Sequence, residues 1–156
     1  MGVTEMLKGH DLFRTLTVDN VGRINAFSST KAFKKGDLVF RHEDKGAHVF
    51  IMLEGRIHLT LPAAVGKLKL IVTAVENGEF FGLSPLLGSE RYTATALCLE
   101  PTRVLAIEAD PFRAVLEENH LIGMEVMGMV ARAYFSRYIE TFGRIQHILK
   151  HVPIMA

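Results

Sequence analysis

The segment Glu79-Phe80-Phe81-Gly82-Leu83-Ser84-Pro85-Leu86-Leu87-Gly88-Ser89-Glu90-Arg91-Tyr92-Thr93-Ala94-Thr95 decides the reading of this chain. It joins an expected strand ending at Phe81 to another starting at Tyr92. Between them Ser84 reads as an N-cap, Pro85 suits the first helical position, and Gly88 suits a terminator. One helical turn therefore interrupts a β-rich region. Free N–H groups at a helix start attract anions, and Arg91 just beyond adds a planar, two-pronged donor for a phosphate. The plainer reading is a connecting turn with Arg91 solvated or paired to Glu90.

Around this segment the texture is β. Short β-rich runs cover 38–41, 48–53, 56–61, 68–74, 92–98 and 103–107. Turn residues separate them at Lys35-Gly36-Asp37, Asp44-Lys45-Gly46, Glu54-Gly55, Glu76-Asn77-Gly78 and Leu87-Gly88-Ser89. Short strands at this spacing argue for an antiparallel sandwich or jelly-roll barrel. Glu54-Gly55 reads as a tight hairpin, since glycine accepts the positive φ such a turn needs. The expected fold is α+β, mainly β: a β-roll flanked by N-terminal helices and a long C-terminal helix. The whole of 1–156 reads as one domain, with helices over 1–30, the β-roll over 31–109 and helices over 110–152.

At the N-terminus, Met6, Leu7, Leu12, Phe13 and Leu16 are spaced for amphipathic turns. Thr17 should cap a helix through Val21, Ile24 and Phe27. After Ile107 the period is helical again. Asp110-Pro111 has the form of a cap followed by a first-turn proline, opening a short helix with Phe112, Val115 and Leu116. A second helix should run from near His120 to about His151, roughly 45 Å. One apolar stripe on it is Met127, Ala131, Tyr134, Tyr138, Phe142, Ile145 and Leu149, close to a coiled-coil seam. A second, Met124, Phe135 and Ile139, is expected to face the barrel. The first then needs another chain, and a homodimer is the commonest solution. Gly128 and Gly143 would let backbones approach closely. The bland alternative folds this helix back over its own barrel.

Composition narrows the class. With 156 residues, 49% of them hydrophobic and 22% charged, the chain can bury a core without disulfides. A single cysteine, Cys98, excludes an internal disulfide framework and points to the cytoplasm. There is no signal-peptide pattern and no apolar run long enough for a membrane span. A formal net charge of +1 gives no electrostatic case for nucleic acid.

The order of features carries a resemblance. Phe33-Lys34-Lys35-Gly36-Asp37-Leu38-Val39-Phe40 is followed by a run from Gly46 to Leu59, then Gly78-Glu79-Phe80-Phe81-Gly82, Arg91 and a long helix. The chain resembles the cyclic-nucleotide-binding domain of the catabolite activator protein and protein kinase A regulatory subunit superfamily, over nearly its whole length. The glycines at 36, 46, 55, 78 and 82 match the family's turn glycines in order and approximate spacing.

The resemblance implies that 82–93 is a phosphate-binding cassette, with Gly82, Leu83, Ser84, Arg91, Tyr92 and Thr93 at the ligand. Arg91 would hold a cyclic phosphate, and 132–135 on the long helix would lie near the base. Two departures stand out. The family's glutamate after the cassette glycine, which accepts from the ribose hydroxyl, is Leu83 here. An unpaired buried hydroxyl costs about 1–3 kcal/mol. Pro85 also lacks the N–H that usually faces the phosphate. The implied function is a non-catalytic regulatory sensor for a small anionic ligand, with a cyclic nucleotide as candidate, signalling through a dimer helix to an unknown partner. Ending five residues after His151, the chain leaves no room for a recognition helix and is not expected to read DNA.

Three rival readings compete with it. A degenerate, ligand-free dimeric scaffold follows from the Leu83 and Pro85 departures. A haem-based gas sensor on the same fold would need Cys98, a histidine or a methionine as axial ligand. A metal-dependent cupin would need clustered His and Glu ligands. His42, Glu43, His48 and His58 lack the spacing, so no metal is expected. No nucleophilic triad stands out.

Overall fold

The structure, a computed structural model, describes residues 2–10, 16–62, 67 and 69–150, with Lys8 and Leu149 as backbone only. Helices α1 (Val3–Gly9) and α2 (Val18–Ala26) come first. Eight strands follow: β1 (Ser28–Phe33), β2 (Leu38–Phe40), β3 (His48–Glu54), β4 (Ile57–Pro62), β5 (Lys69–Val75), β6 (Phe80–Phe81), β7 (Thr95–Cys98) and β8 (Thr102–Glu108). Helices α3 (Ala109–Glu118) and α4 (His120–Leu149) close the chain. The expected positions Leu12, Phe13, Leu68, His151 and 152 lie outside the described residues.

The strands form two antiparallel four-stranded sheets, ordered β1-β8-β3-β6 and β2-β7-β4-β5. Side chains alternate across a strand, so a strand covered on both faces reads as an unbroken apolar run. Strand β3 shows this. Phe50 and Met52 enter the space between the sheets, while Val49 and Ile51 face the helices. Strand β8 does the same with Val104 and Ala106 inward and Leu105 and Ile107 outward. Two cores result. One fills the sandwich with Phe40, Phe50, Phe81, Tyr92 and smaller residues. The other joins the outer face of the first sheet to Leu7, Ile24, Phe112, Ile122, Val126 and Val130 on the helices.

Several expectations are corrected. Strand β1 begins at Ser28, inside the region expected to be helical. It pairs with β8 on one side only, and its middle residues are exposed. An edge strand facing water needs no apolar residues, so Ser-Ser-Thr-Lys gave no β signal. Glu54-Gly55 is not a hairpin turn. Strands β3 and β4 belong to different sheets, and the turn carries the chain from one to the other. The first residues of the expected 92–98 strand pair elsewhere, so β7 starts at Thr95.

Thr17 caps α2 as expected, its Oγ1 accepting from the Asn20 N–H. Asp110 does not cap α3. The helix follows β8 without a loop, Glu108 holds the cap position, and the Ala109 N–H donates to the Ala47 carbonyl at 2.9 Å. Pro111 is still tolerated, because first-turn N–H groups have no partner inside the helix. Asn119 caps α4, accepting from the Ile122 N–H at 3.3 Å.

The long helix presents an unexpected face to the barrel. Ile122, Val126 and Val130 are buried, with Met129, Ala133 and Tyr134 partly buried beside them. Met124, Phe135 and Ile139 are exposed, Met124 at 79%. They point away from the barrel, because at 100° per residue they lie nearly opposite Val126 and Val130. Of the expected dimer stripe, Met127, Ala131, Tyr138, Phe142 and Ile145 are not buried by this chain, whereas Tyr134 packs on its own core.

Candidate functional site

The cassette segment is built as one tight unit. Gly82 has φ +63°, and a Cβ there would meet the rings of Phe50 and Phe40 at 2.9 and 3.0 Å. A side chain fits neither that conformation nor that space. Ser84–Leu87 then forms a single 3-10 turn, ended by Gly88 at φ +81°. Ser84 is not its cap: Leu83 holds that position, and no side chain caps the turn. Leu83, Ser84, Pro85 and Leu86 are all buried, since the turn lies between β3 and α3. The Arg113 guanidinium donates to the Pro85 carbonyl. Gly46 lies against the Pro85 ring, where a Cβ would come within 2.6 Å of Cγ.

The end of the cassette is zipped to the 41–46 turn. Glu43 N–H donates to Tyr92 O, Tyr92 N–H to Asp44 O, and Gly46 N–H to Glu90 O, all within 2.8–2.9 Å. Arg91 is exposed, and its Nη1 donates to the Glu43 carbonyl at 2.6 Å rather than pairing with Glu90. Glu43 is the one described non-glycine residue with positive φ, at 70°. That conformation costs on the order of 1–2 kcal/mol and aims its carbonyl at Arg91. Beside them is an open groove of about 620 Å³, lined by Lys45, Ser89, Arg91, Asp110 and Arg113 among others.

Tyr92 turns the other way. It is buried in the sandwich, stacked on Phe40 with ring centroids 4.0 Å apart. Its hydroxyl donates to the His48 carbonyl at 2.7 Å and accepts from the His48 N–H at 3.1 Å. Burial pushes its phenol pKa up, against the effect of those backbone bonds. With Phe50 and Phe81 it forms an aromatic block between the sheets.

Thr93, exposed, lies beside Tyr134 of α4, near enough for its hydroxyl to act on the Tyr134 phenol. Burial raises the Tyr134 pKa, and Arg137 and Thr93 act against it. The Arg137 guanidinium lies 5.6 Å from the Tyr134 ring centre and donates to the Phe80 carbonyl at 3.3 Å. Burial lowers its pKa, with Tyr134, Glu79 and Glu140 opposing. A cavity of about 320 Å³ opens here between α4 and the β5–β6 turn, lined by Thr73, Glu79, Phe80, Ala133, Arg137 and Glu140 among others. Ordinary sequence patterns gave no sign of Arg137, whose partners are a backbone carbonyl and a ring across the fold.

Six expected ligand residues thus separate into two sets. Gly82, Leu83, Ser84 and Tyr92 are buried, and Leu83 packs in the helix-side core. Arg91 and Thr93 are exposed. Of 132–135 on α4, Arg132 and Ala133 line the cavity and Tyr134 reaches Thr93, while Phe135 points away. Cys98 packs in the sandwich, and burial pushes its thiol pKa up. Among the described residues, no three His, Cys, Asp or Glu converge as metal ligands. Nor is any helix there long and apolar enough to cross a membrane.

Comparison with known proteins places this geometry. The cyclic nucleotide-binding domain family model matches residues 30–119, from β1 through the cassette to the end of α3. The cyclic AMP receptor protein of Thermus thermophilus is 23% identical over 126 residues, 81% of this chain. The chain spans 58% of that protein's length. A crystal structure from Geobacter metallireducens GS-15, described as a candidate cyclic nucleotide-binding protein, is 29% identical with a TM-score of 0.75. That match covers 88% of this chain and 99% of the other. The regulatory domain of Toxoplasma gondii PKA, solved with cAMP, shares the fold at TM-score 0.63 and 19% identity, over 72% of this chain and 42% of that one. With more than half its residues matched, this chain belongs to the cyclic nucleotide-binding domain family, whose members are regulatory domains.

Proposed function

We propose that this protein is a non-catalytic, cytoplasmic sensor that binds a small anionic ligand at the cassette and signals through α4 in a homodimer. One observation carries this reading: the end of the cassette lies beside α4, with Thr93 next to Tyr134. A ligand at this junction changes that contact, and any difference in its affinity for two positions of α4 shifts their populations. Arg91 supplies the anion contact. Its guanidinium bonds the Glu43 carbonyl, a neutral acceptor that a phosphate can replace.

A cyclic nucleotide is the family's candidate ligand, and two features weaken that choice. Leu83 is buried in apolar surroundings and offers no acceptor for a ribose hydroxyl. Tyr92 fills space between the sheets that a smaller residue would leave open. The same two features favour the second reading, a ligand-free dimeric scaffold.

Calorimetry separates them. Cyclic AMP, cyclic GMP and cyclic dinucleotides are titrated into wild type and Arg91→Ala. Submillimolar binding by one of them, weakened at least tenfold in the variant, is the expected result. No heat from any of them, with no change in thermal midpoint, leaves the scaffold.

A further inference from the structure

The outward side of α4 is wider than one partner helix covers. At 100° per residue, Met127 and Ile145 mark one border of an apolar sector and Leu121 and Ile139 the other, about 120° apart. Met124, Ala131, Phe135, Tyr138 and Phe142 lie between them. From residue 121 to 146 the sector contains no Asp, Glu, Lys or Arg; Gly128 and Gln146 are its remaining positions. Its large apolar members are at least 37% exposed in the single chain.

A two-stranded coiled coil buries a narrow seam, and the flanks of that seam are usually charged and wet. Here one half, Met127, Ala131, Tyr138 and Ile145, suits such a seam. The other half, Leu121, Phe135 and Ile139, occupies the flank where charge is expected. A third apolar position per heptad is the pattern of a helix inside a bundle. Absence of charge also fits a permanent contact between copies better than a transient signalling partner, whose interfaces are more polar. The barrel sits on the opposite side of α4, behind Ile122, Val126 and Val130, so it does not block a second neighbour.

We propose that two dimers pair through the Leu121, Phe135 and Ile139 flank, so that four α4 helices form a closed bundle with the barrels outside it. This rests on the dimer reading above and adds a second interface to it. Light scattering after size exclusion, at about 100 µM chain, tests it. Wild type should run at about 70 kDa, four times the 17.4 kDa chain. Phe135→Glu combined with Ile139→Glu should run at about 35 kDa with an unchanged circular dichroism spectrum, since both side chains are exposed in the single chain. A wild-type dimer overturns the bundle and keeps the dimer. A wild-type monomer overturns both. A double variant that stays tetrameric overturns the flank as the second interface.

Discussion

Along α4 the contacts with the barrel change character near Tyr134. On the N-terminal side, Ile122, Val126 and Val130 are buried in the helix-side core. Each such side chain contributes about 1.5–3 kcal/mol on burial. On the C-terminal side the attachments are polar. Arg137 donates to the Phe80 carbonyl at 3.3 Å, Thr73 Oγ1 donates to a Glu140 carboxylate oxygen at 3.5 Å, and Arg144 donates to the Ile71 and Val72 carbonyls at 2.7 and 3.1 Å. Hydrogen bonds of this kind contribute a net of about 0.5–1.5 kcal/mol, and water replaces them readily where they are exposed. The first half of α4 is therefore part of the fold. The second half can leave the barrel at small cost, and the cassette contact at Thr93 sits at the boundary between the two.

The sharpest way to break this comparison is in the first half. Ile122→Ala removes a side chain that is 2% exposed, between α3 and the sheet. It should cost about 2–4 kcal/mol in urea unfolding. A loss below about 1 kcal/mol would mean the first half is no better anchored than the second. Gly123→Ala probes the same region by overpacking. A Cβ there would come within 2.6 Å of the Leu116 carbonyl, which is backbone and cannot step aside. The expected loss is about 1–3 kcal/mol despite the roughly 1 kcal/mol that alanine gains in helix propensity. A raised urea midpoint would show that α3 and α4 separate freely.

The sequence made the first half of α4 legible as a helix but not its orientation. Apolar residues occur on both sides, and periodicity does not say which side meets a barrel. Stripe length favoured Met124, Phe135 and Ile139, whereas the barrel took Ile122, Val126 and Val130. The β-roll was easier to read, because turn glycines and the two-sided apolar run of β3 leave local signatures. Strand β1 left none, being polar and at an edge. In the site, Gly82, Gly88 and Arg91 could be picked out from local pattern and from family resemblance. The inward turn of Tyr92 could not, since its hydroxyl is satisfied by His48, 44 residues away. The proximity of Thr93 and Tyr134 is likewise a property of the fold, bringing the end of the cassette beside a helix.

In the second half, Arg144→Ala sharpens the comparison. The guanidinium covers carbonyls of β5, which among the described residues is an edge strand paired with β4. Because Arg144 is exposed, global stability should change by less than about 0.5 kcal/mol. Deuterium uptake should rise in peptides from 138–148 and stay unchanged in 122–130. Equal acceleration in both would mean α4 opens as one unit.

The smallest effect expected is a pH dependence located in the barrel rather than in α4. His48 is partly buried at the start of β3, beside the bonds that hold the Tyr92 hydroxyl. Burial lowers its pKa below 6.5, Lys31 lowers it further, and Glu108 opposes. The unfolded chain therefore takes up the proton first as pH falls. Stability from neutral His48 is complete above the unfolded pKa of about 6.5 and is lost as pH drops through it toward the folded value. His48→Gln should flatten the change in urea midpoint between pH 7.5 and 5.5 relative to wild type. The other histidines contribute equally to both proteins, so the difference between the two slopes isolates this position. Identical slopes would place the acid sensitivity elsewhere, while a lower midpoint for wild type than for the variant at pH 5.5 would tie it to the barrel end that anchors the cassette.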